Sequence, residues 1–334
     1  MPTLTLRTVE MHTGGEPVRI VVDGYPAVAG ATILEKRRYV TEHLDHLRRL
    51  LMFEPRGHAD MYGVIPVAPD FPGADLAVLF MHNAGYSTMC GHATIAVGRW
   101  AIESGLIPAR EPVTEFTLQV PAGPVRISAT VHRGGVGRVA FQSVPAFVAH
   151  AGARVPVPGY GDITLDVAYG GAFYAFADAA AYGLRLPGSP VADLVAAAWA
   201  TTGAVRAALP LSHPDGPDLE FLYGTILTDG DDAWSERPTA NVCVFADRQV
   251  DRSPTGSGVT ARIAIQHAAG LIPLGVERSF ASIVGSSFTG KAVATTQIGG
   301  RPAVIVEVAG QAHYTGESVF TVEDDDPLPG FLLR

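Results

Sequence analysis

Cys90 and Thr255 each begin one copy of a short repeated pattern, and both side chains can take part in catalysis. The first copy ends in a Gly-Leu-Ile-Pro sequence that begins at Gly105, and the second ends in the same sequence at Gly270. In both copies that glycine lies fifteen positions after the first residue. A repeated unit indicates two similar halves of one fold. A thiol in one half and a hydroxyl in the other predict a symmetric site whose chemistry has become one-sided.

Glycine and a helix are predicted to follow both residues, at Gly91 and at Gly256. The first turn of a helix carries unpaired N–H groups and partial positive charge, which stabilise a carboxylate or a thiolate. In such a place the pKa of a thiol falls from about 8.5 toward neutrality, which makes Cys90 a usable base or nucleophile. Two such helix ends facing each other would hold one ligand carboxylate and present Cys90 and Thr255 to opposite faces of the adjacent carbon.

Plainer structural interpretations compete with this one. Thr255 can be an ordinary helix cap, whereas cysteine is a poor capping residue. His92 can be a structural hydrogen-bond donor or a ligand contact. Asp251 can pair with Arg252 or neutralise a ligand ammonium. Cys243 lies in an apolar run and is predicted to be a buried core residue.

The sequence contains no motif for a metal or a cofactor with the required spacing. The glycines that begin at Gly256 resemble a dinucleotide loop, but a polar run from Asp247 to Pro254 separates them from the preceding strand. The sequence has no His-Glu-x-x-His and no Cys-x-x-Cys motif. We therefore predict neither a metal nor a cofactor.

Bulk composition excludes several classes of protein. The 334 residues are 47% hydrophobic and 17% charged, as in a well-packed globular chain of two ordinary domains. A net charge of −9 argues against a nucleic-acid surface, and no apolar run approaches the ~20 residues that span a membrane. The first residues lack the pattern of a secretory signal. We therefore expect a cytoplasmic protein with both cysteines reduced.

The pattern of elements predicts an α/β (α+β) fold. Helices are expected at 33–51, at 190–208, after Cys90 and after Thr255. The best linker candidate is 132–137. Strands are expected in the following segments: 4–10, 18–22, 76–80, 117–123, 125–131, 138–142, 162–167, 219–228, 240–245, 303–308 and 316–322.

Several motifs together resemble the proline racemase family. These motifs begin at Met11 (Met-His-Thr-Gly-Gly-Glu-Pro), Gly57 (Gly-His-Ala-Asp-Met-Tyr-Gly), Met89, Asp251 and Ile283. The resemblance spans nearly the whole chain. It implies a diaminopimelate-epimerase-like fold of two pseudo-symmetric lobes, each a curved sheet around a central helix, with the ligand between them. The first lobe is expected at 1–132 plus 315–334 and carries Cys90, and the second is expected at 133–314 and carries Thr255.

The resemblance also implies site residues and a substrate class. Members that racemise or epimerise commonly carry a cysteine at both of the positions that Cys90 and Thr255 occupy here, and Thr255 departs from that pattern. The Cys/Thr pair resembles the branch that dehydrates trans-3-hydroxy-L-proline to Δ1-pyrroline-2-carboxylate, a carbon–oxygen lyase activity. By the same resemblance, N–H groups hold the substrate carboxylate, Asp251 meets the ring amine and Phe245 lines the pocket. The residues expected to supply those N–H groups are Gly91, His92, Gly256 and Ser257.

The side chains of Cys90 and Thr255 favour elimination over racemisation. Racemisation needs a second group that exchanges a proton on the opposite face, and a threonine hydroxyl is too weak for that near neutral pH. Three alternatives stay open: a racemase or 4-hydroxyproline 2-epimerase that tolerates Thr255, a non-catalytic amino-acid binding protein and, more distantly, a nicotinamide dehydrogenase. A homodimer is compatible with the sequence, which does not fix the oligomeric state.

Overall fold

The computed structural model describes residues 4–323, 325–328 and 330–333. The chain forms two compact units, Met1–Val139 with Gln311–Arg334 and Ala140–Gly310. Both outer ends of the predicted first lobe, Met1 and Arg334, lie outside the described residues. The predicted linker is a tight turn at Arg133 and Gly134, where both residues have positive φ. The division between the units falls a few residues later.

The first unit is a mixed sheet with one central helix. Its helices are α1 (Ile33–His43), α2 (Asp45–Met52) and α3 (Gly91–Glu103). Its strands are β1 (Leu4–Thr13), β2 (Glu16–Asp23), β3 (Tyr62–Val67), β4 (Leu76–His82), β5 (Gly85–Ser87), β6 (Val113–Val120), β7 (Gly123–His132) and, at the other end of the chain, β18 (Ala312–Val322). The strand β8 (Gly135–Gln142) crosses the division between the units.

Neighbouring strands in the first unit follow the order β18, β1, β2, β3, β4, β6, β7. The pairs β2–β3 and β4–β6 are parallel and the others are antiparallel, while β5 pairs with β4. Helix α3 packs against β1, β2, β7 and β18. It is buried around most of its circumference, as expected for a helix that a sheet encloses.

The second unit repeats this plan. Its helices are α4 (Val191–Ala208) and α5 (Gly256–Ala268). Its strands are β9 (Phe147–Val157), β10 (Gly161–Tyr169), β11 (Phe173–Asp178), β12 (Leu222–Thr228), β13 (Thr239–Phe245), β14 (Gln249–Asp251), β15 (Arg278–Ala281), β16 (Ser287–Ile298) and β17 (Arg301–Gly310). Neighbouring strands follow the order β9, β10, β11, β12, β13, β15, β16, β17, with β14 beside β13.

The same two positions of the sheet are parallel here, β11–β12 and β13–β15. Helix α5 packs against β9, β10, β11, β16 and β17 and is as buried as α3. The two helices are both thirteen residues long and both stop at a left-handed glycine, Gly105 and Gly270. The predicted repeat is therefore a repeat of structure, with a helix at the centre of each unit.

Several predicted elements differ from the structure. The predicted helix at 33–51 is two helices, because Leu44 leaves helical geometry as its side chain enters the core of the first unit. The long strands β9 and β16 were not predicted. Both alternate buried and exposed residues only partly, which weakens the sequence pattern on which a strand prediction depends. The expected mixed α/β class is confirmed.

Candidate active site

Cys90 occupies the N-cap position of α3. It is 5% exposed and its backbone is extended, with φ −146° and ψ 113°. Its Sγ accepts a hydrogen bond from the Ala93 N–H at 3.5 Å. The sulfur thus takes the position that a serine or threonine oxygen usually fills, although cysteine was expected to be a poor cap. This contact brings the thiol to the positive end of the helix.

His92 lies directly against the Cys90 thiol. Its Nδ1 is 3.1 Å and its Nε2 is 3.8 Å from Sγ. The Thr13 hydroxyl donates to the His92 carbonyl at 2.8 Å and fixes the backbone of this turn to the end of β1. The Tyr62 ring meets the imidazole edge to face, with centroids 4.8 Å apart. A buried imidazole is therefore held beside the buried thiol.

Thr255 occupies the equivalent position before α5, but its geometry differs from that of Cys90. Its backbone is left-handed, with φ 63° and ψ 88°, and its side chain makes no capping hydrogen bond. Its Oγ1 is buried and has no hydrogen-bond partner among the described residues. The capping interpretation of Thr255 is therefore wrong for its hydroxyl. A buried, unsatisfied hydroxyl on a strained β-branched residue points to a ligand that completes it.

The loop before Thr255 is fixed by side-chain hydrogen bonds. The Thr255 N–H donates to Ser253 Oγ at 3.1 Å, and the Ser253 N–H donates to Asp251 Oδ1 at 2.7 Å. The Asn241 amide donates to the Pro254 carbonyl at 3.0 Å. Room for the Thr255 methyl comes from Gly258, where an added Cβ would lie 3.0 Å from Thr255 Cγ2. These contacts impose the left-handed backbone.

Asp251 is a buried carboxyl group. Burial raises its pKa to about 6, and hydrogen bonds from the Ser253 hydroxyl and N–H oppose this rise. The nearby Thr255 hydroxyl also lowers the pKa, and Arg252 lowers it least. The Arg252 guanidinium donates to the Val250 carbonyl. Asp251 is thus poised to receive a cation.

Ser257, on the first turn of α5, is held by an aromatic group. Its Oγ is 2.7 Å from the Tyr174 hydroxyl. Tyr174 packs against Tyr223, and Tyr223 stacks on Phe245 with centroids 5.2 Å apart. Phe245 is therefore linked through two tyrosines to the start of α5.

The structure groups the predicted residues by unit. Cys90, Gly91 and His92 form one set at the start of α3. Asp251, Thr255, Gly256 and Ser257 form the other at the start of α5. Sequence reasoning missed the supporting residues Thr13, Tyr62, Tyr174, Asn241 and Ser253. Thr13, Tyr62 and Ser253 lie within the motifs that begin at Met11, Gly57 and Asp251, and those motifs offered a signal for them.

Other predictions concern groups outside these two sets. Cys243 is fully buried on β13, and neither cysteine forms a disulfide with another described residue. No cluster of three or more His, Cys, Asp or Glu side chains suited to a metal occurs in the part of the chain that the structure describes. Among the same residues, no helix is both long and apolar enough to cross a membrane.

Two units of matching strand order, each enclosing a helix that starts after Cys90 or Thr255, define an α/β protein with an internal structural repeat. The family model for proline racemase matches residues 8–332, and the chain belongs to this family.

Similar proteins carry related names. The human trans-3-hydroxy-L-proline dehydratase is 56% identical, over 99% of this chain and 96% of the relative. A 3-hydroxyproline 2-epimerase from Burkholderia multivorans is 43% identical, over 99% of this chain and 98% of the relative. A crystal structure of a hydroxyproline epimerase from Agrobacterium vitis, with bound trans-4-hydroxy-L-proline, is 29% identical and has a TM-score of 0.92; the match covers 100% of this chain and 97% of that one.

Proposed function

We propose that this protein dehydrates trans-3-hydroxy-L-proline to Δ1-pyrroline-2-carboxylate and water. The observation that carries the proposal is the inequality of the two helix starts. Cys90 is a thiol that contacts an N–H group and an imidazole, whereas Thr255 is a hydroxyl with no hydrogen bond among the described residues. The 56% identity to the human dehydratase over nearly the whole chain supports the same reaction.

Cys90 acts as the base that removes the Cα proton. The thiolate is the reactive form of cysteine, and a helix N-terminus or a neighbouring imidazole stabilises it. Both are present at Cys90, with Ala93 N–H at 3.5 Å and His92 Nδ1 at 3.1 Å from Sγ.

Backbone N–H groups hold the substrate carboxylate. The first N–H groups of a helix have no partner within the helix and carry partial positive charge. Here they belong to Gly91, His92, Gly256 and Ser257, all of them buried. As the Cα proton leaves, negative charge spreads onto the carboxylate, and fixed dipoles stabilise that charge by a few kcal/mol, to order of magnitude.

Asp251 and Thr255 orient the ring. The ring nitrogen of a prolyl substrate is a secondary ammonium, and a buried carboxylate without a strong cationic partner gains most from meeting it. Asp251 has that character, with its pKa raised to about 6 by burial. The Thr255 hydroxyl supplies a hydrogen bond and no base.

The elimination needs only proton transfers and releases one molecule of water. The Cα–H and C3–O bonds break and the Cα=C3 double bond forms. In the trans isomer the C3 hydroxyl shares a ring face with the Cα hydrogen, so the group that protonates the leaving hydroxyl acts from the Cys90 side. The new Cys90 thiol and the adjacent His92 are the two candidates. The enamine loses its N–H proton and gains a C3 proton to give the imine.

Epimerisation of a hydroxyproline at C2 is the second candidate, and the Burkholderia relative, at 43% identity, favours it. A panel of proline and hydroxyproline isomers, assayed for the imine and for Cα–H exchange in deuterated water, separates the two reactions. We expect imine from trans-3-hydroxy-L-proline alone. Inversion at C2 without imine would reject the dehydratase. The cytoplasmic location and the homodimer stay predictions.

A further inference from the structure

Tyr62 lies at the start of β3, buried among groups that support the Cys90 turn. Its ring meets His92 edge to face at 4.8 Å and contacts His82 at 5.8 Å between centroids. Its hydroxyl is hydrogen-bonded to Ser87 Oγ, three residues before Cys90. Tyr62 therefore connects the segment that leads into α3 with the imidazole on its first turn.

Two close contacts orient the His92 side chain in its own unit. Thr13 fixes the carbonyl of His92 but not its ring. The imidazole lies against Cys90 Sγ and against the Tyr62 ring. Because an aromatic ring has a negative face and a positive edge, edge-to-face contact fixes the relative orientation of two rings. It contributes roughly 0.5–1.5 kcal/mol beyond the area that it buries.

The second unit repeats the arrangement. Tyr62-Gly63 are the first two residues of β3, and Tyr223-Gly224 are the second and third residues of β12. Both glycines pair with a parallel neighbour, Gly63 with Arg19 and Gly224 with Tyr174.

Tyr223 packs against Tyr174, whose hydroxyl bonds Ser257 Oγ at 2.7 Å. His92 and Ser257 are both the second residue of their helix. In both units, therefore, the tyrosine at this strand position supports the second residue of the central helix, directly at His92 and through Tyr174 at Ser257.

We infer that Tyr62 is a positioning residue that holds the His92 imidazole against the Cys90 thiol and thereby maintains the thiolate. Its kinetic consequence rests on the proposed function, in which Cys90 is the base. Its effect on the thiol itself does not, because the contact exists without substrate.

The test is the pH dependence of Cys90 alkylation by iodoacetamide without substrate, in a Cys243→Ala background. Tyr62→Leu removes the ring, and we expect the midpoint to rise by about half a pH unit to one unit. Tyr62→Phe keeps the ring, and its midpoint should stay at the unsubstituted value. Phe116→Leu, on β6, removes similar volume elsewhere in the unit and should also leave the midpoint in place.

Turnover of trans-3-hydroxy-L-proline gives the second readout. We expect kcat to fall about tenfold in Tyr62→Leu, with KM within about twofold, because the base and not substrate binding is changed. If Tyr62→Leu does not fold by circular dichroism, Tyr62→Met carries the test, since it keeps most of the volume without a ring.

An unchanged alkylation midpoint in a folded ring-less variant overturns the role of Tyr62. That result can coexist with normal dehydration, in which case the proposed function stands. If the unsubstituted protein does not turn over trans-3-hydroxy-L-proline, the proposed function fails, while the alkylation midpoints still decide the role of Tyr62.

Discussion

The Sγ atom of Cys90 lies 3.1 Å from Nδ1 of His92, two residues further along the first turn of α3. The same sulfur accepts the Ala93 N–H. At the equivalent place before α5, Thr255 has neither contact through its side chain. The repeated architecture thus carries two different chemical groups in two different local environments.

Replacement of the base should remove activity while the fold survives. We expect Cys90→Ser to lower kcat for trans-3-hydroxy-L-proline by about a hundredfold to ten-thousandfold, because a hydroxyl is a far weaker base than a thiolate. The measurement is the rate of imine formation. Cys243→Ala is the matched control, since Cys243 is the other cysteine of the chain and lies fully buried on β13. Substantial activity in Cys90→Ser would show that another group takes the proton.

A second thiol, at position 255, should permit inversion at Cα. Thr255→Cys places a group that can exchange protons where the present hydroxyl cannot. We expect the C2 epimer of proline or 4-hydroxyproline to form in deuterated water, as measured by NMR, because inversion needs a second group that exchanges protons. Thr255→Ser keeps a hydroxyl and should form no epimer, although Cys90 alone can still exchange the Cα proton with retention. Absence of inversion in the cysteine variant on every isomer would contradict the one-base explanation.

Sequence reasoning located both helix starts but not their local geometry. Cys90 and Thr255 share a pattern and a spacing, so the helices and their glycine stops could be predicted. The absence of a capping bond at Thr255 could not be predicted, because the loop that carries it is held at the Pro254 carbonyl by Asn241, which only the folded unit brings there. The Tyr62 contact to His92 likewise joins residues thirty positions apart.

The left-handed backbone at position 255 has a measurable energetic consequence. The left-handed conformation costs a residue with a Cβ about 1–2 kcal/mol of free energy, and it costs glycine much less. We expect Thr255→Gly to be more stable than Thr255→Ala by about that amount, measured by urea denaturation. Both variants lack the hydroxyl and the methyl group of Thr255, so the difference in stability between them does not include the loss of those groups. Equal stability of the two would mean that position 255 is not left-handed in solution.

Ionisation of Asp251 should cost stability. The unfolded carboxyl has a pKa of 3.8, whereas burial raises the folded pKa to about 6. Between these values the folded protein keeps a proton that the unfolded chain releases, so the stability falls as the pH rises through this window. Above it the whole cost is present, about 3 kcal/mol to order of magnitude.

We therefore expect Asp251→Asn to be more stable than the unsubstituted protein at pH 8 and to lose this advantage below pH 4, while its activity falls. Chemical denaturation across this range measures the difference. Asp162→Asn removes the same charge from an exposed pair with Arg154 and should change stability by less than about 0.5 kcal/mol at any pH. A constant difference for Asp251→Asn would contradict a buried carboxyl that titrates near pH 6.

The most direct test follows trans-3-hydroxy-L-proline by proton NMR in deuterated water with the unsubstituted protein. One strong base and a leaving hydroxyl on the same ring face predict that the substrate disappears into Δ1-pyrroline-2-carboxylate. The C2 epimer, cis-3-hydroxy-D-proline, should not accumulate. Accumulation of that epimer without the imine would contradict the account, since it requires a second proton-exchanging group opposite Cys90.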